Sequence, residues 1–326
     1  MKAYISESIT SRSLIGSNVV RKMVRLGAKK VLVLDNLSSS VKWNIPTDQT
    51  VVFTEGSVTD EEKLKRVFQE RPDYVVHLAA HFANEKAVQF PEENLNVNAL
   101  GTLKMLRWSQ FVGVKRFIFA SSGCATYGGV APVPLVEDYV TMHLETPYQI
   151  HKFLGELYCN FFLDYWKLPT VKLRFFNVYG PGGLPGRYKN VIPNFIHWGL
   201  HGQPLPITGN GEETRDFTFV EDIVDGILRA GISPEAIGES FNLGSGMENS
   251  IKDLSAMVNT MTHNTAGLNI VGKRSWDKST RRLASIEKAN RILGYSPKTK
   301  LEQGLGTTLE WFTENLAKID ESVLYE

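Results

Sequence analysis

The first half of the chain alternates short apolar runs with amphipathic stretches. The amphipathic stretches repeat apolar residues every three or four positions, as Ile15, Val19 and Met23 do, which is typical of a helix with one buried face. The short runs between them are typical of buried strands. The pattern predicts strands at Lys2–Ser6, Val31–Asp35, Val51–Phe53, Tyr74–Leu78 and Arg116–Ser121, and helices at Leu14–Leu26, Glu61–Glu70 and Leu95–Phe111.

Strands that alternate with helices at this period predict crossover units and an α/β fold with a doubly wound parallel sheet. Such a sheet binds ligands beyond the carboxyl ends of its strands. The sequence pattern changes from Pro181. Gly and Pro cluster in PGGLPGRYKN, and strands and helices no longer alternate regularly. We therefore predict two domains. The first comprises residues 1–180 plus about 221–245, and a smaller C-terminal α/β lid comprises 181–220 plus about 246–326.

Composition narrows the class of protein. The 326 residues are 42% apolar and carry a net charge of +1. This small positive charge does not indicate binding to nucleic acid or to a membrane surface. Cys124 and Cys159 are too few for a disulfide framework and are not grouped as zinc ligands. His77 and His81 straddle a strand end without a third ligand nearby, so we predict no metal site. With no apolar signal region and no apolar run of about 18 residues, we expect a cytoplasmic protein.

Tyr148 and Lys152 in TPYQIHKFLGE lie four residues apart on a predicted helix and so share a face. A tyrosine titrates near pH ~10, and a neighbouring ammonium favours its phenolate. The pair would be a workable general base for a hydroxyl proton. The spacing also occurs by chance, and the alternative interpretation is an exposed helix lysine beside a half-buried tyrosine.

Polar residues end two neighbouring predicted strands. RFIFA runs into Ser121-Ser122, and VKLRFFNVYGPG places Asn177 before a Gly/Pro turn. In this architecture, strand ends lie at the ligand cleft. A hydroxyl, a Tyr/Lys pair and a polar strand end at successive strand exits together predict a catalytic site.

The chain resembles the extended short-chain dehydrogenase/reductase family, in its NAD-dependent epimerase/dehydratase group, over nearly its whole length. The motifs that carry the resemblance are HLAA, NALGT, RFIFASS, YQIHK, RFFNVYGPG, GNGEETRDFTFVEDIVDG and LGYSPKTKLEQGL. The resemblance implies a Rossmann-type NAD-binding first domain and a nucleotide-sugar substrate, with a UDP-sugar preferred. It also implies that Ser122 hydrogen-bonds the reacting hydroxyl, Tyr148 takes its proton, and Lys152 also holds the nicotinamide ribose.

The residues after Ser122 discriminate between reactions. Similar 4,6-dehydratases carry an adjacent Asp-Glu pair there, and similar decarboxylases a Glu, whereas this chain reads Gly123-Cys124-Ala125-Thr126. An elimination would lack its acid. The segment HFANEKAV (His81–Val88) is similar to that of UDP-galactose 4-epimerases. We therefore expect a 4-epimerase that oxidises C4, lets the 4-keto sugar turn and returns the hydride.

Asp35 ends the second predicted strand, where a carboxylate can accept the adenosine ribose hydroxyls and favours NAD over NADP. The alternative is an aspartate that caps its own loop. By resemblance, the full set of cofactor-binding residues is Gly16, Asp35, Asn36, Ser57, Leu78, Ala79, Ala80, Asn98, Tyr148 and Lys152.

The phosphate-binding loop departs from the family. Of three expected glycines only Gly16 remains, and the loop at Ser6–Ser13 is about three residues longer, so side chains stand where bare backbone approaches phosphate. Glu7 could repel the phosphates, while Arg12 or the serines could replace the lost donors. Ser57 stands where the family usually has an aspartate. NAD then binds by another route, binds weakly, or is no longer turned over.

By resemblance, the substrate-binding residues are Lys86, Ser122, Asn177, Asn190, Val191, Arg215, Arg274 and Asp277. Arginine suits bidentate phosphate binding, although Arg215 and Arg274 could each form a surface salt bridge instead. Arg281 or Arg282 falls close to the position that limits the hexose pocket. An arginine there would suit an acidic or bulky sugar.

Two predicted helices carry apolar stripes that we interpret as mostly core. The stripes are Leu100, Leu103, Trp108 and Phe111, and Leu157, Tyr158, Phe161, Phe162 and Tyr165. Their aromatic excess is compatible with a two-helix dimer interface of the kind this family uses, so we predict a homodimer.

Two alternative functions remain. One is another enzyme on this scaffold (decarboxylase, dehydratase or reductase), and the other is a non-catalytic nucleotide-sugar or dinucleotide binding module.

Overall fold

The computed structural model describes residues 2–6, 12–272 and 279–323. Its strands confirm the predicted α/β class. They are β1 (Lys2–Ser6), β2 (Lys30–Asp35), β3 (Val51–Glu55), β4 (Tyr74–His77), β5 (Arg116–Ser122), β6 (Thr170–Phe175), β7 (Val178–Tyr179), β8 (Leu205–Thr208), β9 (Thr214–Arg215), β10 (Thr218–Phe219), β11 (Ser240–Leu243), β12 (Asn249–Ser250), β13 (Leu268–Val271) and β14 (Arg281–Arg282).

The helices that connect them include two long ones that the sequence pattern did not delimit, α6 and α11. In chain order they are α1 (Arg12–Arg25), α2 (Glu61–Phe68), α3 (Asn84–Gln89), α4 (Pro91–Asn94), α5 (Thr102–Val112), α6 (Pro147–Trp166), α7 (Val191–Leu200), α8 (Val220–Ile232), α9 (Ile251–Met261), α10 (Glu287–Leu293) and α11 (Leu301–Ser322), with short 3₁₀ turns at Lys42–Asn44 and Pro234–Ala236.

Seven parallel strands form the central sheet, in the order β3-β2-β1-β4-β5-β6-β11. The chain winds outwards from β1 to β3, returns to the middle at β4, and then winds the other way. This is the doubly wound, Rossmann-type order. The reversal lies between β1 and β4, and the crevice beyond their carboxyl ends is where such sheets bind ligands.

The sheet is covered on both faces because its strands are apolar on both sides. Along β2, Val31 and Val33 face one core, which α1, α8 and α10 complete. Leu32 and Leu34 face the opposite core, beneath α2, α5 and α6. Side chains alternate along a strand, so one continuous apolar run fills two cores.

A third core is formed by the later part of the chain. It gathers residues from α7, β8, α9 and α11, among them Ile192, Ile207, Leu254 and Phe312. A substrate lid would need a core of its own, and the domain boundaries stay a prediction.

The predicted helix at Leu95–Phe111 begins differently from an α-helix. Leu95–Gly101 forms a wider π-helix, and the α-helix α5 starts only at Thr102. Within the π-helix, Asn98 turns towards the segment after β4, where its side chain accepts from the His81 N–H at 2.7 Å. A local wide turn of this kind often marks a functional site.

The interpretation of the two apolar stripes as mostly core is wrong for five of their residues. The outer helices α5, with the π-helix before it, and α6 are apolar on two faces, so one face packs on the sheet while the other is left exposed. In this structure the exposed side chains are Leu100, Phe111, Leu157, Phe161 and Tyr165. The predicted homodimer stays a prediction. None of the helices in the described ranges has both the length and the hydrophobicity to cross a bilayer.

Candidate active site

Ser122 and Tyr148 are placed by a strand end and a helix start. β5 stops at Ser122, whose carbonyl accepts from the backbone N–H groups of the next turn, including that of Thr126 at 3.0 Å. The helix α6 starts at Pro147, and Thr146 caps it by accepting from the Gln149 N–H at 3.3 Å. Proline fits this first helical position because its missing N–H would have no partner there. Tyr148 therefore lies in the first turn of a well-defined helix.

Lys152 is buried, with about 1% of its surface exposed, which rules out the exposed-lysine alternative. Its ammonium donates to the carbonyl of Ala120 at 2.7 Å and lies 5.0 Å from the centre of the Phe119 ring. Tyr148, one helical turn earlier, is also buried and packs edge-on against Phe82 at 5.4 Å. A buried ammonium stabilises a neighbouring phenolate more strongly than it would in water.

A buried polar network next to Ser122 ties α6 to the sheet. The Glu156 carboxylate accepts two hydrogen bonds from Arg174, at 2.8 and 2.9 Å, and a third from the Ser121 hydroxyl at 2.5 Å. Arg174 also donates to the hydroxyl of Tyr127 at 2.9 Å, which in turn donates to Asn242 at 2.7 Å. The network spans β5, α6, β6 and β11.

Two members of this network have shifted pKa values. Burial by itself would lower the pKa of Arg174, but the hydrogen bonds and charge of Glu156 raise it overall. Burial raises the pKa of Tyr127 to about 12, against the opposing effect of Arg174. Arg174 therefore stays charged and Tyr127 stays neutral at neutral pH.

The loop after Ser122 is closely packed and offers no carboxylate. A Cβ atom on Gly123 would lie 2.1 Å from Cε2 of Phe176, so only glycine fits there without a shift. Thr126 is buried and its hydroxyl donates to the Ser122 carbonyl at 3.1 Å. Cys124 is half-buried, and the Asn177 side-chain amide donates to its sulfur at 3.7 Å.

The structure separates the two adjacent arginines that the sequence left equivalent. Arg282 is buried and donates to the carbonyl of Cys124 at 2.5 Å, so it supports the loop that follows Ser122. Arg281 is exposed and pairs with Glu248. Only Arg282 is therefore brought to the catalytic loop.

On the adenosine side, Asp35 caps its own loop, as the alternative interpretation expects. It is fully buried, and its two carboxylate oxygens accept from the Leu37 N–H and the Ser40 hydroxyl, each at 2.7 Å. The ribose role stays a prediction. Nearby, Asn36 accepts from the Ser38 hydroxyl at 2.6 Å, and Ser57 shares a hydrogen bond with Thr59.

The residues around the switch point fit a dinucleotide. The 14-residue helix α1 begins at Arg12, directly beyond β1, and a helix N-terminus there suits a diphosphate. Gly16 lies inside α1 and is buried. The buried apolar residues Leu78, Ala79 and Ala80 follow β4 directly, at the carboxyl end of that strand. The replaced loop at 7–11 lies outside the described residues.

The Asn98 side chain makes several contacts with the protein. Besides accepting from the His81 N–H, it donates to the His81 carbonyl at 3.0 Å and to Asn94 at 3.1 Å. The contacts hold the π-helix against the segment after β4. A role towards the cofactor stays a prediction.

Lys189 is a cleft residue that the sequence analysis missed. Its ammonium donates to the Ser39 carbonyl at 2.7 Å, joining the start of α7 to the loop after β2. Burial and, to a smaller extent, the nearby charge of Lys86 lower its pKa to about 7, against the opposing effect of Asp35. Lys86 itself lies over the Tyr188 ring at 5.9 Å. The only sequence signal was the basic cluster within GRYKN.

Asn190 and Arg215 are two further predicted substrate residues, and each donates to a backbone carbonyl. Asn190, directly before Val191 and α7, donates to the Val178 carbonyl at 3.1 Å and lines a pocket with Leu14 and Gly180. Arg215 ends β9 and donates to the Thr214 carbonyl at 2.8 Å. The remaining two predicted residues, Arg274 and Asp277, lie outside the described residues.

Comparison with known proteins agrees with this geometry. The model of the NAD dependent epimerase/dehydratase family matches residues 11–244. An epimerase from Methanothermobacter thermautotrophicus has 49% sequence identity and a TM-score of 0.96, over 99% of this chain and 95% of its own. A UDP-glucose 4-epimerase from Thermotoga maritima, solved with UDP-glucose, has 34% identity and a TM-score of 0.90, over 97% of this chain and 100% of its own.

Curated relatives include two different activities. A UDP-glucose 4-epimerase from Mycolicibacterium smegmatis is 30% identical over 91% of this chain and 95% of its own length. A UDP-N-acetyl-alpha-D-glucosaminuronate decarboxylase from Bacillus cytotoxicus is 29% identical over 92% of this chain and 95% of its own. The relatives therefore share nucleotide-sugar substrates but differ in the reaction that they catalyse.

Proposed function

We propose, since the chain belongs to the NAD-dependent epimerase/dehydratase family, that it inverts the configuration at C4 of a UDP-hexose. The family is enzymatic and uses NAD. The choice of an epimerase within it rests on one observation, the absence of a carboxylate from the loop Gly123–Thr126.

The catalytic residues divide the work of such a reaction. Tyr148 takes the proton of the C4 hydroxyl as the C4–H bond is broken, and later returns it to the new hydroxyl. Ser122, at the strand end, hydrogen-bonds the reacting oxygen and fixes its direction. Lys152 stabilises the phenolate. Gly16, Asp35 and Lys152 would hold NAD, and the bound cofactor would supply a reversible acceptor for the C4 hydride, with no net consumption.

The loop after Ser122 favours this outcome over elimination. A dehydratase must protonate a leaving hydroxyl, which calls for an acid beside the serine. Gly123 cannot be replaced without displacing Phe176, and Thr126 is buried with its hydroxyl directed at Ser122. The relatives named UDP-glucose 4-epimerase support the same choice, although the decarboxylase is almost as similar.

Arg282 suggests which sugars to compare. Its position against the Cys124 carbonyl brings a guanidinium to the catalytic loop, where it would favour an acidic or bulky hexose. Turnover of UDP-glucuronate should then exceed turnover of UDP-galactose. Equal or better turnover of UDP-galactose would remove this preference without affecting the epimerase proposal.

The first experiment is to denature the purified protein and assay the released dinucleotide, then to incubate the enzyme with a panel of UDP-sugars. We expect about one NAD per chain, a C4 epimer as product and no net NADH. Tyr148→Phe, which keeps the ring, should retain the NAD and lose at least about 100-fold in turnover. Carbon dioxide release or a stable 4-keto product would contradict the proposal. A protein that holds no NAD and binds none would instead indicate a non-catalytic module.

A further inference from the structure

Three side chains that a metal ion could use meet at one end of α7, away from the catalytic residues. His197 and His201 lie one turn apart on this helix, and Asp320 reaches them from α11. The Asp320 carboxylate lies 2.8 Å from Nε2 of His197 and 3.3 Å from Nε2 of His201. One ligand atom from each residue lies within 4.8 Å of the others.

The tautomer of His201 makes this arrangement unusual. Its Nδ1 lies 2.8 Å from the His197 carbonyl, which can only accept, so Nδ1 carries a proton. In a neutral ring, Nε2 is then a bare acceptor, yet it faces a carboxylate oxygen, which is also an acceptor. Two acceptors at this distance require a cation between them, either a second proton on the ring or a metal ion. Fixing the other ring nitrogen by a backbone carbonyl is how metal-binding histidines are commonly oriented.

The charges around the cluster favour a cation. The Asp320 carboxylate faces both imidazoles and supplies the negative charge of the cluster. His201 also caps the C-terminal end of α7, the end at which a helix attracts positive charge.

The geometry is close to what zinc needs. Ligands about 2.0–2.1 Å from a tetrahedral zinc ion are separated by about 3.3 Å from one another. Nε2 of His197 lies 2.8 Å from one Asp320 oxygen, and Nε2 of His201 lies 3.3 Å from the other. The three ligand atoms lie within 4.8 Å of one another, so the partly exposed side chains need to draw closer together to hold one ion. His201 and Asp320 are partly exposed, which leaves an entry path and room for a water as the fourth ligand.

We propose that His197, His201 and Asp320 form a binding site for a divalent transition-metal ion of the zinc class, which fastens α11 to α7. Two imidazoles and one carboxylate are a ligand set that zinc accepts. The ion would stabilise the packing of α11 against α7. The sequence prediction of no metal site considered only His77 and His81. The sequence signal for the present site is the spacing His-x-x-x-His in HWGLH, which places both rings on one face of a helix.

The test is a zinc titration of chelator-treated full-length protein in competition with a chromophoric chelator. We expect one tight zinc per chain in the wild type and a loss of at least about 100-fold in affinity in His201→Gln and in Asp320→Asn, because removing a direct ligand costs at least as much as removing an outer one. Asparagine retains an oxygen that can accept from His197, so a site that is only a hydrogen bond would be little affected by this change. His143→Gln, at an exposed histidine in another loop, is the matched control and should bind zinc like the wild type.

Thermal melting separates loss of the ion from loss of the fold. In chelator all four proteins should melt within a few degrees of one another, and zinc should raise the Tm of the wild type and of His143→Gln only. Cobalt(II) should give the intense visible bands of a tetrahedral site in the same two proteins. The proposal is overturned if the wild type binds zinc no more tightly than His201→Gln, or if His143→Gln loses as much affinity.

Discussion

Replacing Glu156 with glutamine removes the negative charge from the buried ion pair next to Ser122 while keeping the shape of the side chain. Both side chains of the pair, Glu156 and Arg174, are about 5% exposed. The variant leaves the arginine charged in a buried place, weakens one of its charge-assisted hydrogen bonds and removes the other, because a glutamine amide has only one acceptor oxygen. Breaking a buried pair from one side costs about 3–5 kcal/mol. We expect a loss of that size in the free energy of unfolding.

The assay is equilibrium unfolding in urea, followed by fluorescence and by circular dichroism. The matched control is Glu239→Gln, which removes the same charge from the ion pair between Glu239 and Lys288. The Glu239 side chain is 43% exposed. Exposed pairs of that kind contribute about 0–1 kcal/mol. The double variant Glu156→Met/Arg174→Met should recover much of the loss, since an apolar pair leaves no buried charge. A Glu156→Gln protein as stable as Glu239→Gln would refute the reasoning.

Three further predictions concern single positions. Gly123→Ala should cost about 1–3 kcal/mol because its methyl group meets the Phe176 ring, while Gly272→Ala, whose Cβ meets nothing within 4 Å, should be nearly neutral in the same urea experiment. The pKa of Lys189, lowered by burial to about 7, lies below its unfolded value, so the unfolded chain binds more protons between about pH 7 and 10 and stability rises with pH there. Lys189→Met should therefore raise the Tm most at pH 6 and progressively less towards pH 9, and a constant difference would contradict this. Phe161→Asp, in the exposed apolar face of α6, should convert the predicted homodimer to monomer in analytical ultracentrifugation, and an unchanged mass would argue against that face.

The elements of the sheet could be predicted because buried parallel strands are apolar on both faces. β1 was predicted to the residue and β5 to within one residue at its end. The π-helix at Leu95–Gly101 could not be predicted, since it comes with a side-chain contact between Asn98 and His81 that local propensity does not encode. Tertiary contacts of this kind override local propensity.

In the candidate site, too, local relations could be predicted from the sequence and tertiary contacts could not. Tyr148 and Lys152 were identified because one helical turn is a local relation. Arg281 and Arg282 could not be told apart from the sequence, because only the fold decides which of two neighbours on a strand faces the catalytic loop. The His197, His201 and Asp320 cluster was missed for a related reason. Its helical pair is visible in the sequence, but its carboxylate comes from more than a hundred residues later.

The polar network from Ser121 to Asn242 has a consequence for how the molecule opens. Its members come from three adjacent strands and one helix, and each hydrogen bond depends on the others being in place. These elements therefore cannot separate one at a time without exposing a charged group to an apolar surrounding. We expect the amide protons of β5 and β6 to exchange with solvent only through global unfolding of the chain. The elements that the network joins would then unfold as one cooperative unit, while neighbouring segments open locally.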